Sequence, residues 1–332
     1  MGRLEYATER SVQQATKTIA HLLETRYKNE VLYRDAAQLL DEENKALVAP
    51  REKFTCTEKV WLNTLHLLQQ ATGFSIAGDL QMWRIKEGEL QEHQILEPTS
   101  DKTVVQAYLK GRRHLEAGEL EEAKAAYTKA IDRFPRHALA LERRGFVNYT
   151  QGNNEAALAD YAASIAVDSK RPEAYLGRAR MEILAEDWAA ALEDLTQAMK
   201  RSMPHHHVYL EALHRKGKVQ MEMGAYKSAI AGFNFFLKRP LLVDHPQYLF
   251  RRQVAFDRGL ALAASGNLKE AIESFDLALE MPTRDDKPHS ATILLHRGLA
   301  VQQSGQKGFI ENWRAAAEQG SKKAAQLLEE VS

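Results

Sequence analysis

Few residues in this chain combine the types and spacing that chemistry requires. His205-His206-His207 is the densest run of metal-binding side chains. Imidazoles bind divalent metals, but a lasting site gathers ligands from separate elements. No cluster of carboxylates or cysteines accompanies the run, and Pro204 precedes it, so it reads as a solvated loop. His21, Glu24 and Glu30 hint at a di-iron bundle, yet the Glu-x-x-His pairs that such a bundle uses are missing. Gly73-Phe-Ser-Ile-Ala-Gly78 has the two glycines of a phosphate loop. Asp79-Leu80 follows where the loop needs Lys-Ser or Lys-Thr, and an aspartate repels phosphate. Neither His-Glu-x-x-His, Gly-x-Ser-x-Gly nor Gly-x-Gly-x-x-Gly occurs. The expectation is a protein that is not an enzyme and carries no metal and no cofactor.

The remaining chemistry is charge. The 332 residues hold 45 Lys plus Arg and 45 Asp plus Glu, a formal net charge of zero. A bulk electrostatic grip on nucleic acid or an anionic membrane needs a surplus of cations. Three local basic clusters stand out: Lys110, Arg112, Arg113 and His114; Arg133, Arg136, His137, Arg143 and Arg144; and Lys238, Arg239, Arg251 and Arg252. Acidic residues follow each, which suits solvated helix faces. Nucleic-acid binding through these clusters is the rival reading, beside a role as accessory subunit of an enzyme complex. The single cysteine, Cys56, excludes an intramolecular disulfide. The first residues are charged, no apolar h-region follows, and no run reaches the ~18 apolar residues of a membrane span. A cytoplasmic protein without membrane contact is expected.

The elements that would position any site show themselves through repetition. From Gly111, residues at offsets 7, 12, 16, 19 and 24 are Gly118, Ala123, Tyr127, Ala130 and Pro135. The same register recurs from Gly145 (Gly152, Ala157, Tyr161), Ala179 (Glu186, Ala191, Leu195), Gly217 (Gly224, Ala229, Phe233) and Gly259 (Gly266, Ala271, Phe275). Gly298 and Gly305 begin a sixth copy, whose phase then slips by one residue at Trp313. Each copy reads as two antiparallel helices, A then B, with apolar residues at i, i+3, i+4 and i+7. Small residues let the helices cross closely, and the aromatic or Leu at offset 16 fills the space beside them. Prolines fall only at predicted helix boundaries.

This register resembles the tetratricopeptide repeat, a 34-residue helix–turn–helix unit, over about residues 103–320. Here the repeat starts lie 34, 34, 38, 42 and 39 residues apart, with the extra residues in the B-to-A connections. Trp313 to Gly320 is locally similar to Sel1-like repeats, and 321–332 reads as a capping helix with Ala324, Leu327, Leu328 and Val331 on one face. The resemblance implies a mainly α, right-handed solenoid of helix pairs. It also implies a concave surface lined by A helices that takes a peptide or helix of a protein partner. Carried over position by position, that surface comprises Tyr108, Arg112, Glu142, Phe146, Tyr149, Arg180, His214, Lys218, Met221 and Phe256. Arg112 and Gly177 stand where carboxylate-clamp members of the family place Asn and a basic residue, which disfavours chaperone-tail binding. Self-association stays open.

Residues 1–98 do not follow the register. Val12, Ala15, Ile19 and Leu22, then Val31, Leu32, Ala36, Leu39 and Leu40, predict one long helix over 8–47. A second helix is expected from Thr57, burying Trp61, Leu62, Leu65 and Leu68. Residues 79–97 predict a β-hairpin with Gly88 in its turn. The whole is expected as a small helical or α+β extension.

Overall fold

The computed structural model describes residues 1–331 apart from Asn29, Gly88, Asp101, His205, Leu242, Asp244 and Pro246. The turn position expected at Gly88 and the first imidazole of the histidine run, His205, thus lie outside the described residues. The chain forms two compact units, Met1–Met181 and Glu182–Ser332.

The first unit opens with a sheet. Strands β1 (Gly2–Glu5), β2 (Leu40–Asp41), β3 (Ala46–Ala49), β4 (Ala77–Lys86) and β5 (Glu89–Leu96) are antiparallel in the order β2-β3-β1-β4-β5. Helices α1 (Glu9–Leu22) and α2 (Glu58–Thr72) share one core with it. Alternation divides the sheet into two faces. Leu4, Leu47, Leu80, Met82 and Leu96 join Ile19, Trp61, Leu67 and Leu68 in that core. Arg3, Glu5, Asp79, Gln81, Trp83, His93 and Ile95 occupy the opposite face. Gly78, at φ +92, lets β1 and β4 approach where a Cβ would strike the carbonyl of Arg3.

The helix expected over 8–47 is replaced. Thr8 caps α1 by accepting from Ser11 N, and the helix passes into a π-turn at Leu23–Tyr27 and stops. Residues 36–38 form one 3₁₀ turn, and 40–49 form the β2–β3 pair. Leu39 and Leu47, both fully buried, belong to the same core as Ile19. The helical spacing of Val31 to Leu40 belongs to a mostly irregular stretch whose apolar residues pack into the core shared by the sheet, α1 and α2.

Helix pairs follow. In the first unit α3 (Thr103–Glu116) and α4 (Leu120–Arg133), then α5 (Ala138–Thr150) and α6 (Asn154–Val167), precede α7 (Pro172–Leu184), within which the division between units falls. In the second unit α8 (Trp188–Arg201) is followed by α9 (His207–Glu222) with α10 (Tyr226–Leu237), and α11 (Arg251–Ala264) with α12 (Leu268–Glu280). Then come α13 (Ser290–Gln303) with α14 (Phe309–Glu318), and α15 (Lys322–Glu330). Each A helix ends on a left-handed residue. Gly118, Gly152, Gly224, Gly266 and Gly305 take φ of +71 to +82, whereas the third copy forces Glu186 to φ +56.

The recurrence of small residues has a steric cause. A Cβ on Gly111 would lie 2.7 Å from the Tyr127 ring, and one on Gly259 2.5 Å from the Phe275 ring. Gly217 stands in the same relation to Phe233, and Gly298 to Trp313, which closes on its glycine from offset 15. Each aromatic is fully buried.

Candidate protein-interaction surface

In the first unit, the N-terminal region meets Arg112 of the expected binding surface and the segments that lead into α5 and α7. Asp79 on β4 accepts from Arg171, just before α7, at 2.6 Å, and both side chains are buried. Gln81 donates to the other Asp79 oxygen at 2.8 Å. Glu5 on β1 faces Arg136, before α5, at 3.8 Å. Glu97, just past β5, pairs with Arg112 on α3, and Lys102 donates to the Phe74 carbonyl at 2.8 Å. Burial alone would raise the Asp79 carboxyl, but the Arg171 guanidinium and the Gln81 amide hold it below the usual carboxylate range. Three carboxylates of the N-terminal region thus meet three arginines of the repeats.

His137 sits at the same place. It is 1% exposed, its ring centroid lies 5.0 Å from that of Tyr108, and its Nδ1 accepts from Ala140 N to cap α5. Burial, reinforced by Arg171, pushes its pKa down to about 3. The unfolded chain therefore binds this proton more readily than the folded one. The contribution to stability is complete above about pH 6.5 and shrinks as pH falls toward 3, by about 2 kcal/mol at pH 5. Melting curves at pH 7 and pH 5 should show this loss in the wild type. His137→Asn, which keeps a neutral acceptor at both pH values, should lack it. Equal acid losses in the two proteins would exclude His137 as the source.

The ten expected surface residues divide by burial. Tyr108, Glu142, His214 and Phe256 are 4–6% exposed. Tyr108 packs on Tyr127 and His137, and Glu142 lies beside Arg143. His214 on α9 shares a 2.6 Å hydrogen bond through Nε2 with Asp257 on α11, and Phe256 lies between Phe275 and His296. These four show almost no surface to a partner, because each lies three residues before the small residue, on a part of the A helix that packs against neighbouring helices. Arg112 is engaged by Glu97. In the first unit, Phe146, Tyr149 and Arg180 come together: the two rings are 6.5 Å apart, and the Arg180 guanidinium lies 5.9 Å over Tyr149. In the second unit Lys218 is exposed on α9, and Met221 is half-buried against the core of that unit. Sequence reasoning missed Asp257, to which Gln253, itself a position of the expected concave surface, donates at 2.9 Å. The signal was there: a His three residues before one small residue and an Asp two before the next place both on adjacent A helices.

The basic clusters are largely neutralised. Arg144 makes a two-pronged contact with Asp160 at 2.7–3.2 Å, Arg143 faces Glu142, and Arg136 faces Glu5. Arg252, nearly buried, donates to Asp286 at 2.9 Å and to two carbonyls. Arg251 donates to the carbonyls of Leu237 and Arg239. Guanidiniums already held by carboxylates and backbone are poor phosphate ligands. Among the described residues, no three His, Cys, Asp or Glu side chains gather as a metal site, and no helix is long and apolar enough to cross a membrane.

A sequence profile described as "Tetratricopeptide repeat" matches residues 108–166, 147–206 and 214–291. No curated protein matches the sequence. Among solved structures, the fold is similar to that of PilF of Pseudomonas aeruginosa, with a TM-score of 0.56 and 16% identity over 70% of this chain and 99% of that one. It is similar to PilW, a type IV pilus biogenesis factor, at 0.54 and 15% over 69% and 100%. It is also similar to YrrB, described as having an unusual peptide-binding site, at 0.50 and 21% over 62% and 98%.

Proposed function

Because the chain belongs to the tetratricopeptide repeat family, we propose that it is a non-catalytic scaffold that binds a protein partner on the A-helix faces of its repeats. The observation that carries this is internal. In the first unit these helices and their N-terminal ends already hold a folded polypeptide surface, the N-terminal sheet, through the Asp79–Arg171 pair and its neighbours. The likeness to YrrB is one of fold, and its peptide site lends the reading analogy only. In the second unit the partner contacts are Lys218 and Met221. In the first they are Phe146, Tyr149 and Arg180. An aromatic pair with a guanidinium over one ring suits an apolar side chain beside a carboxylate. The same reading places the protein in the cytoplasm and keeps the Sel1-like character of 313–320 within the last helix pairs.

Crosslinking of the full chain in native lysate, read by mass spectrometry, tests this. Partner peptides should crosslink to α5, α7 and α9. Lys218→Glu, at an exposed position, should cut recovery of the α9-linked partner at least tenfold with an unchanged melting curve, a loss of about 1.4 kcal/mol or more. Partner crosslinks confined to residues 1–98 would overturn the reading.

A further inference from the structure

The first unit holds buried oxygens that its own residues leave without a donor. Glu142 on α5 is 5% exposed; its Oε2 accepts no hydrogen bond, although Arg143 Nε lies 3.3 Å away. Glu173, the second residue of α7, is in the same state: its Oε2 accepts no hydrogen bond, and the Arg171 guanidinium stands 3.8 Å off. That guanidinium is already engaged by Asp79 at 2.6 Å. Three carboxylates thus share two guanidiniums. Tyr127 and Tyr161 bring two phenol oxygens to the same place. Both rings are fully buried, and neither hydroxyl has a hydrogen-bond partner. The Tyr161 ring reaches from α6 past Gly145 to Gly177, where a Cβ would strike its Cζ. Its hydroxyl therefore emerges beside α7, among the A helices. Burial raises both phenols and the Glu173 carboxyl above their usual pKa, the latter against the pull of Arg171, and the Glu142 charge adds to the rise at each. Glu142 is the neighbour that the other three groups have in common.

We propose that this part of the first unit holds a basic side chain of the partner, a lysine ammonium or an arginine guanidinium, at Glu173 and the Tyr161 hydroxyl with the Glu142 carboxylate beneath. The inference rests on the reading that the A-helix faces bind a protein, and it names what α5 and α7 select. A buried oxygen without a donor costs stability, and a carboxylate costs more than a phenol. Lysine and arginine carry donors only, so either one supplies what these oxygens lack. Either also adds the third positive charge that three carboxylates call for. An anion would meet those carboxylates, and an apolar group would leave the oxygens unpaired. Water satisfies the oxygens but brings no charge. Glu173, at 17% exposure, is the way in. Glu142 shows almost no surface and attracts from below. Phe146 lies one helical turn beyond Glu142 on α5, so the partner's basic side chain sits close to its apolar one.

Random N-acetylated peptides passed over the immobilised full chain test this, with the retained peptides sequenced by mass spectrometry. The acetyl group leaves side chains as the source of cations. Lys and Arg together should be enriched about tenfold over the input library, as a hydrogen bond to a charged group provides. Glu173→Gln keeps the shape and removes the charge. It should bring the enrichment below about twofold with an unchanged melting curve. Glu122→Gln, at an exposed position on α4, removes one charge from the same unit and should leave the enrichment as it was. Retained peptides without a basic preference overturn the inference and leave the partner surface standing, which the lysate crosslinks test separately. An enrichment that survives Glu173→Gln overturns it too, because the cation is then held elsewhere. A column that retains no peptide also overturns it, since the basic side chain then gives no hold.

Discussion

Replacing Arg171 with leucine should destabilise residues 1–181 by about 3–5 kcal/mol. The guanidinium is buried against Asp79 at 2.6 Å, and Asp79 is itself buried beneath the sheet. Removing the cation strands an ionised carboxylate away from water, which costs far more than the intact pair contributes. At a few degrees per kcal/mol for a unit of this size, the melting midpoint should fall by roughly 8–15 °C. The double variant Arg171→Leu with Asp79→Leu should recover part of the loss, because the Asp79 charge is gone while Glu173, 3.8 Å from the Arg171 guanidinium, still loses its cation. Limited proteolysis should report the same event locally, with Arg171→Leu opening cleavage between β5 and α3. If the double variant is no more stable than the single, the pair does not hold the N-terminal sheet to the repeats.

Phe275→Ala should cost the second unit about 3–5 kcal/mol, since the ring is fully buried and leaves a cavity. Gly259 makes the expectation sharper. In the wild type, Gly259→Ala drives a methyl to within 2.5 Å of the Phe275 ring, an overpacking worth about 1–3 kcal/mol. In the Phe275→Ala background that space is empty. The same methyl then fills part of the cavity, and the helix gains about 1 kcal/mol from losing a glycine. Gly259→Ala should therefore change sign between the two backgrounds. Denaturant unfolding of the four proteins reads this directly. An equal penalty in both backgrounds would mean that the glycine is retained for another reason.

The small-to-aromatic contact explains why the repeat was so legible. Gly259 and Phe275 are sixteen residues apart, and the same contact recurs at Gly111–Tyr127 and Gly217–Phe233. A steric need met within one helix hairpin is written in the local spacing of residue types. It therefore set the helix pairs and their register, and the slip at Trp313 as well. The left-handed turn at Gly118, Gly152, Gly224 and Gly266 is legible for the same reason.

Other features answer to residues far away. β1 is four residues long, too short to show a period. It exists because Leu4 pairs with Leu47 on one side and Gly78 on the other. The stretch 31–40 has helical spacing, yet its apolar residues are buried in a core built from α1, α2 and the sheet, which no window of ten residues contains. The expected binding residues divide on the same ground. Lys218 and Phe256 occupy comparable A-helix faces, but whether a side chain stays at the surface depends on the neighbouring helix, and Phe256 is enclosed by Phe275 and His296. The pairing of Asp79 with Arg171 spans 92 positions. The amino-acid sequence alone determined the repeat, its family and the helix pairs within it, because hairpin contacts are short in sequence. Only the tertiary structure decided that β1, β2 and β3 join the expected hairpin in one sheet, that this N-terminal region meets the repeats, and which A-helix positions stay exposed. Those outcomes rest on burial and charge neutralisation between segments tens of residues apart.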